Sequence, residues 1–327
     1  MGWELFLVLL LVLGAEFVNG WTDAPNAIAT VVSTRVMTPR AAVFLASTFN
    51  VFGTLCGTEV AHTIGTGIVD VAAIQPSAII ATMTCIILWS FVTVHFGIPT
   101  SKSHELVAGL SGAALATVGP SALIAAGWKK VLLGLLLSSF LGFIVSYVVA
   151  RIIISLCRHI TPKTAQFAFC RLQIVSSLLM AFNHGMNDGQ KFIGIFSLTL
   201  VVGGVLPEFY VPVWVVLLCA VTMGIGTTIG GWKIIKNVGM RMVNIRPWQG
   251  FAAETSASVV IMGASLSGVP LSTTHTITTS IMGVAAAKNI NGVRWNIVGN
   301  IVLAWVITFP ICAALTFLIT LAFKHFL

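Results

Sequence analysis

Apolar runs of about 20 residues, separated by short loops that collect the charged side chains, organise the whole chain. Val131–Ile154, Ser77–His95, Val211–Ile229 and Ile297–Phe323 are almost free of charge. At 1.5 Å per helical residue, such a run crosses a hydrocarbon layer of roughly 30 Å. The pattern predicts five segments in the first half, at 5–34, 41–65, 77–97, 102–120 and 130–150. Five more follow at 172–202, 211–231, 249–267, 270–288 and 296–323. The expected fold is an all-α polytopic membrane protein. Met1–Gly20 lacks a basic leader and a small-residue cleavage site, and the next apolar stretch follows closely, so it reads as membrane helix rather than secretion signal.

Composition sharpens this reading. Of 327 residues 57% are hydrophobic and 8% are Asp, Glu, Lys or Arg, against about 25% charged in a soluble domain. The net charge of +8 does not point to nucleic acid, because the basic residues lie mostly in short loops, where the positive-inside rule accounts for them. Cys56, Cys85, Cys157, Cys170, Cys219 and Cys312 are scattered without metal-ligand spacing and read as small apolar residues. No Walker A, HExxH or GxSxG sequence is present, so no enzyme reading and no cofactor is suggested.

Polar residues inside the apolar runs are not random. "GIPTSKSHELVAGLSG" (97–112) and "GVPLSTTHTITTSIMG" (268–283) share a spacing: Pro99, Ser101, Ser103 and His104 align with Pro270, Ser272, Thr274 and His275. "GWTDAPN" (20–26) likewise aligns with "GMNDGQK" (185–191). The chain is therefore read as a membrane repeat at 1–155, a basic cytoplasmic linker at 156–171, and a second repeat at 172–327. With five crossings per repeat and the linker inside, the inner ends hold Arg35, Arg40, Lys102, Arg151, Arg158, Lys163, Arg171, Lys233, Lys236, Arg241, Arg246, Lys288 and Arg294. The outer ends hold only Lys129, Lys130 and Lys324. Four crossings per repeat would dissolve this bias. An odd count inverts the second repeat and puts both termini outside. About ten crossings result, with broken or re-entrant helices among them; the first segment of each repeat, with Gly and Asn in its middle, is the expected place for a break.

In each shared motif proline disfavours helix before it, and the Ser or Thr that follows is a natural N-cap. A helix starting inside the protein aims its free N–H groups and dipole at an anion. Ser101, Ser103, Ser272, Thr273 and Thr274 are the expected anion ligands, against a competing reading in which they only hydrogen-bond neighbouring helices. Asp23 and Asp188, with Asn26 and Asn187, are the second matched pair. Intramembrane carboxylates are expensive and normally functional, and hard oxygen ligands suit an alkali cation or a proton rather than zinc. A structural reading, in which the aspartates cap broken helices, remains compatible. Cations beside a multivalent anion would lower its charge and supply the driving gradient, so anion–cation symport follows more naturally than free diffusion.

Glu254 and Asn50 are assigned either to coupling or to structural hydrogen bonds, and His104 and His275 to bracing the motif loops. Lys102 and Glu105 neutralise each other, and Lys191 stands three residues after Asp188, at ion-pair spacing. His62, His95, His159, His184 and His325 offer no ligand constellation.

"NGWTDAPNAIAT" (19–30), "GIPTSKSHELVAGL" (97–110), "HGMNDGQKFIG" (184–194), "GTTIGGWKIIKNVG" (226–239) and "GVPLSTTHTITTS" (268–280) resemble the inorganic phosphate transporter family, whose members include sodium- and proton-coupled symporters. The resemblance runs over essentially the whole chain. It implies an inverted-repeat fold, uptake of inorganic phosphate with a co-transported cation, sodium ions as possible bound partners, and a homodimer. It carries the coupling-ion role to Asp23, Asn26, Asn187 and Asp188, and the phosphate role to the five loop positions. Glu254 matches the family's acidic position, and Asn50 a site that is Asn or Glu among relatives. Thr22 and Lys102 depart from the usual pattern. The compact chain resembles prokaryotic members, which implies an inner or plasma membrane. Sulfate symport on the same fold is the alternative within transport; an anion channel or a non-transporting receptor is the alternative outside it.

Asp188→Asn should lose most coupled transport while still inserting in the membrane. Normal uptake with unchanged ion dependence in D188N vesicles would contradict the role given to this carboxylate.

Overall fold

A computed structural model of the chain describes residues 2–70 and 74–326. Among these residues there is no sheet, only an isolated bridge between Val69 and Leu123. The helices run α1 (Trp3–Ser33), α2 (Pro39–Thr54), α3 (Glu59–Gly67), α4 (Pro76–Phe96), α5 (Lys102–Thr117) and α6 (Ala125–Leu156). They continue with α7 (Pro162–His184), α8 (Gln190–Val202), α9 (Val213–Thr227), α10 (Trp232–Ile235), α11 (Pro247–Leu266), α12 (Thr273–Lys288) and α13 (Trp295–Phe326). A π-turn, Gly185–Gly189, joins α7 to α8, and another, Lys236–Arg241, extends α10.

Among the described residues five helices are long and apolar enough to cross a membrane, or seven if each of two bent pairs counts as one span. The chain is an all-α, multi-pass membrane protein. The short helices α5 and α12, 16 residues each, correspond to the segments expected at 102–120 and 270–288. Between α6 and α7 only 157–161 is non-helical, so Pro162 to Arg171 already form the first turns of α7.

Local chemistry sets these boundaries. Pro39, Pro76, Pro162 and Pro247 occupy the first turns of their helices, where a missing N–H costs nothing. Thr38 and Thr161 cap α2 and α7 by accepting from the N–H of Ala41 and Thr164. Gly97 and Gly268, at φ 66° and 61°, supply the left-handed turns that end α4 and α11 just before the two proline motifs.

The breaks lie elsewhere than expected. α1 is continuous through Pro25, and the first segment of the second half is widened by the π-turn rather than broken. The bends are instead in the second segments: 68° between α2 and α3, and 62° between α9 and α10. At the first bend Gln190 completes the backbone hydrogen bonding. Its Oε1 accepts from Val60 N at 2.8 Å and its Nε2 donates to the Cys56 carbonyl at 3.2 Å, as the lack of water in a bilayer requires. The small residues inside α1 serve packing: a side chain at Gly20 would collide with the Met223 backbone of α9.

α5 and α12 are buried on every side from Lys102 to Ala114 and from Thr273 to Ala285. α13 packs along α5, and α6 along α12. The outer faces of α6 and α13 carry Leu136, Phe140, Leu303 and Val306, all exposed, as lipid-facing helices do. Close approach needs small residues, and a Cβ at Gly112 would overlap the carbonyl of Ala313. Gly112→Val should therefore cost about 1–3 kcal/mol through overpacking. Thermal unfolding in detergent measures this, and a midpoint equal to that of the unmodified protein would contradict the packing account.

Candidate functional site

The two proline motifs deliver what the capping argument requires. Ser101 caps α5 and Ser272 caps α12, each accepting through Oγ from the N–H three residues on, His104 at 3.4 Å and His275 at 3.2 Å. The helix starts meet in the interior. Ser103 Oγ donates to the Leu271 carbonyl at 2.8 Å, and Thr274 Oγ1 donates to the Thr100 carbonyl at 3.2 Å. The rings of His104 and His275 lie 4.6 Å apart. His275 also stacks on Trp305 at 3.7 Å, and the Trp305 Nε1–H reaches back to the Pro99 carbonyl at 3.0 Å. Both histidines and Trp305 thus brace one loop against the other.

The two aspartates join the same cluster through the second loop. Thr273 Oγ1 donates to Asp188 Oδ2 at 2.9 Å. Thr274 Oγ1 lies 3.5 Å from Asp23 Oδ2 and accepts from Asn26 Nδ2 at 3.0 Å. A hydroxyl has one proton, and the Thr100 carbonyl is nearer, so Asp23 Oδ2 is the weaker acceptor of the two. Asp23 Oδ1 takes a 3.2 Å bond from neighbouring Thr22. The π-turn carries Asp188, as such turns often do at functional positions.

A residue dismissed from the sequence belongs here. His184 is buried; its Nδ1 is 3.1 Å from Asn50 Oδ1, while Asn50 Nδ2 donates to Thr227 Oγ1 at 3.1 Å. With the Asn50 oxygen as acceptor, this network assigns the imidazole proton to Nδ1. Nε2, which has no hydrogen-bond partner, then faces Asp188 Oδ2 at 3.4 Å and Asp23 Oδ2 at 4.0 Å. One ligand atom from each of Asp23, His184 and Asp188 lies within 4.8 Å of the others. Three acceptors converge there, and a positive particle between them, a proton or a small cation, relieves their repulsion. His184 stands four residues before Asp188, on one helical face. That spacing was the available signal, and weighing each histidine alone hid it.

The remaining expected residues lie around this cluster. Asn187 Nδ2 donates to Ser265 Oγ at 2.8 Å and lies 3.4 Å from the Val269 carbonyl, which ties the π-turn to the end of α11. Asn50 orients His184. Glu254 accepts from Thr30 Oγ1 and Ser176 Oγ, linking α1, α7 and α11. Lys102 is fully buried; its Nζ is 2.9 Å from each Glu105 oxygen and 2.7 Å from Ser90 Oγ. Glu16 is buried, and its Oε2 accepts from Asn19 Nδ2 at 2.9 Å.

A family model for the phosphate transporter family matches residues 19–165 and 155–316, and the chain belongs to that family. It is 44% identical over 303 residues to a "probable low-affinity inorganic phosphate transporter" of Rhizobium meliloti, covering 92% of this chain and 91% of that one. A protein of the same description from Bacillus subtilis is 38% identical, over 94% of each chain. A solved structure described as "The sodium-dependent phosphate transporter" superposes with a TM-score of 0.88 over 99% of this chain and all of the other. Its identity is 22%, so that likeness is one of fold.

His184→Ala removes one of the three converging ligand atoms and should weaken monovalent-cation binding about tenfold or more, at least the scale on which even outer ligand contacts act. The shift of the thermal-unfolding midpoint with cation concentration reads this directly, and a curve superimposable on that of the unmodified protein would remove His184 from the site.

Proposed function

We propose that this protein carries inorganic phosphate across the membrane together with a monovalent cation, sodium or proton. One observation carries the reading: the starts of α5 and α12 touch, Thr273 of the second loop bonds directly to Asp188, and Thr274 lies 3.5 Å from Asp23. An oxyanion entering a bilayer loses its hydration shell. Helix-start N–H groups and the hydroxyls of Ser101, Ser103, Ser272, Thr273 and Thr274 replace that shell. A cation among Asp23, His184 and Asp188 offsets the anion's charge a few ångströms away, so each ligand raises the occupancy of the other. Relatives described as phosphate transporters, aligned over nearly the whole chain, support the same substrate.

The proposal includes two oppositely oriented halves, with the site at their meeting point. Supporting this, α4, α5 and α6 recur in order as α11, α12 and α13, and the bent pair α2–α3 recurs as α9–α10. Rocking of one set of helices against the other would expose the pocket to each side in turn. The family resemblance extends the proposal to a homodimer in a prokaryotic plasma membrane, and the positive-inside bias with an odd crossing count per half extends it to both termini outside; the bacterial relatives support the choice of membrane.

Reconstituted vesicles given phosphate or sulfate under separate sodium and proton gradients test this reading. It predicts saturable phosphate accumulation against a gradient that ends when the cation gradient is collapsed. Accumulation of sulfate alone would replace the substrate, and flux that only equilibrates would indicate a channel.

A further inference from the structure

The two aspartate motifs differ at one matched position, three residues after each carboxylate: Asn26 follows Asp23, and Lys191 follows Asp188. We propose that the Lys191 ammonium is a built-in cation that fills, beside Asp188, a place where a more symmetric protein would hold a mobile one. The inference rests on the symport reading and specifies that Lys191 lowers by one the number of mobile cations accompanying each phosphate.

Lys191 is fully buried, and its Nζ lies 2.5 Å from Asp188 Oδ1. A second N–H of the ammonium donates to the Leu271 carbonyl at 2.9 Å, the same carbonyl that accepts from Ser103 Oγ. The ion pair is therefore fastened to the substrate loop as well as to its own helix. Asp188 Oδ2 takes the Thr273 hydroxyl at 2.9 Å, so both carboxylate oxygens have donors. A buried, hydrogen-bonded pair of this kind holds its charges in place, since removing either partner strands the other in an apolar interior.

Asp23 is served differently. Asn26, the counterpart of Lys191, brings no charge and directs its Nδ2 to Thr274 at 3.0 Å. The donors to Asp23 are Thr22 at 3.2 Å and the shared Thr274 hydroxyl at 3.5 Å. The other fully buried lysine, Lys102, is directed to Glu105 and Ser90. The His184 Nε2, without a hydrogen-bond partner, lies 3.4 Å from Asp188 Oδ2, which already holds the Thr273 hydroxyl, and 4.0 Å from Asp23 Oδ2, which among the described residues faces no charged donor. The demand for a mobile positive charge is thus concentrated at Asp23 and His184, while Asp188 is already neutralised from within.

The test counts cations. In reconstituted vesicles with the membrane potential clamped, the slope of log phosphate accumulation against log imposed cation ratio gives the number of cations carried per phosphate. Lys191→Asn, which copies Asn26, should raise this slope by one, and Lys191→Arg, which keeps the charge, should leave it unchanged. A K191N slope equal to that of the unmodified protein overturns the proposal; an equal slope with weakened phosphate affinity would make Lys191 a phosphate ligand instead. If K191N is not recovered folded, the double variant Asp188→Asn with Lys191→Gln removes the pair as a unit. It should turn over slowly with the original slope, and a slope lower by one overturns the proposal. Failure of the unmodified protein to accumulate phosphate under either cation gradient is a separate result, which strikes the symport reading itself.

Discussion

A helix that begins inside a bilayer leaves its first N–H groups without water, and the chain must answer them from its own atoms or with a ligand. Two helices of this protein, α5 and α12, begin buried in its interior, one against the other. Much else follows from this arrangement. Each start needs a proline motif to open it, a serine to cap it, and a left-handed glycine to turn the chain out of the helix before it. Each also needs to be wrapped on all sides, which α6 and α13 do with lipid-facing outer surfaces and small residues at their inner contacts. Rigidity of the two loops comes from the stacked His275 and Trp305 and from the Trp305 bond to Pro99, so the donors keep their direction when solvent is excluded.

The same low dielectric governs the acidic residues. A carboxylate held away from water must find a counter-charge or a proton. The two aspartates meet that requirement in different ways, one with a tethered ammonium and one with weak hydroxyl bonds beside a bare imidazole nitrogen. Twofold repetition of the motifs therefore does not make the site symmetric. Thr273 bonds Asp188 and Thr274 lies 3.5 Å from Asp23, so both carboxylates stand beside the start of α12, where the oxyanion is proposed to bind.

Much of this was legible in the sequence because it is local. Apolar run length located the long helices, and the motifs Pro99–His104 and Pro270–His275 specified their own caps. The predicted break in the first segments failed for a tertiary reason: Gly20 is small because the α9 backbone passes against it, not because α1 bends there. The actual bend between α2 and α3 depends on Gln190, from the other half of the chain, to satisfy Val60 and Cys56, and nothing near residue 55 announces that donor and acceptor. His184 was overlooked because its significance lies in its distance to two carboxylates on separate helices. The spacing of Lys191 disclosed its ion pair, but its bond to Leu271 could not be read without the fold.

The central claim is that an oxyanion and a cation share one pocket, and reciprocity of binding tests it most directly. Equilibrium binding of labelled phosphate to the purified protein should tighten as sodium or proton concentration rises. The affinity for that cation should tighten by the same factor as phosphate is added. Phosphate affinity that stays constant across the full range of both cations would place the two ligands in independent sites and contradict the account.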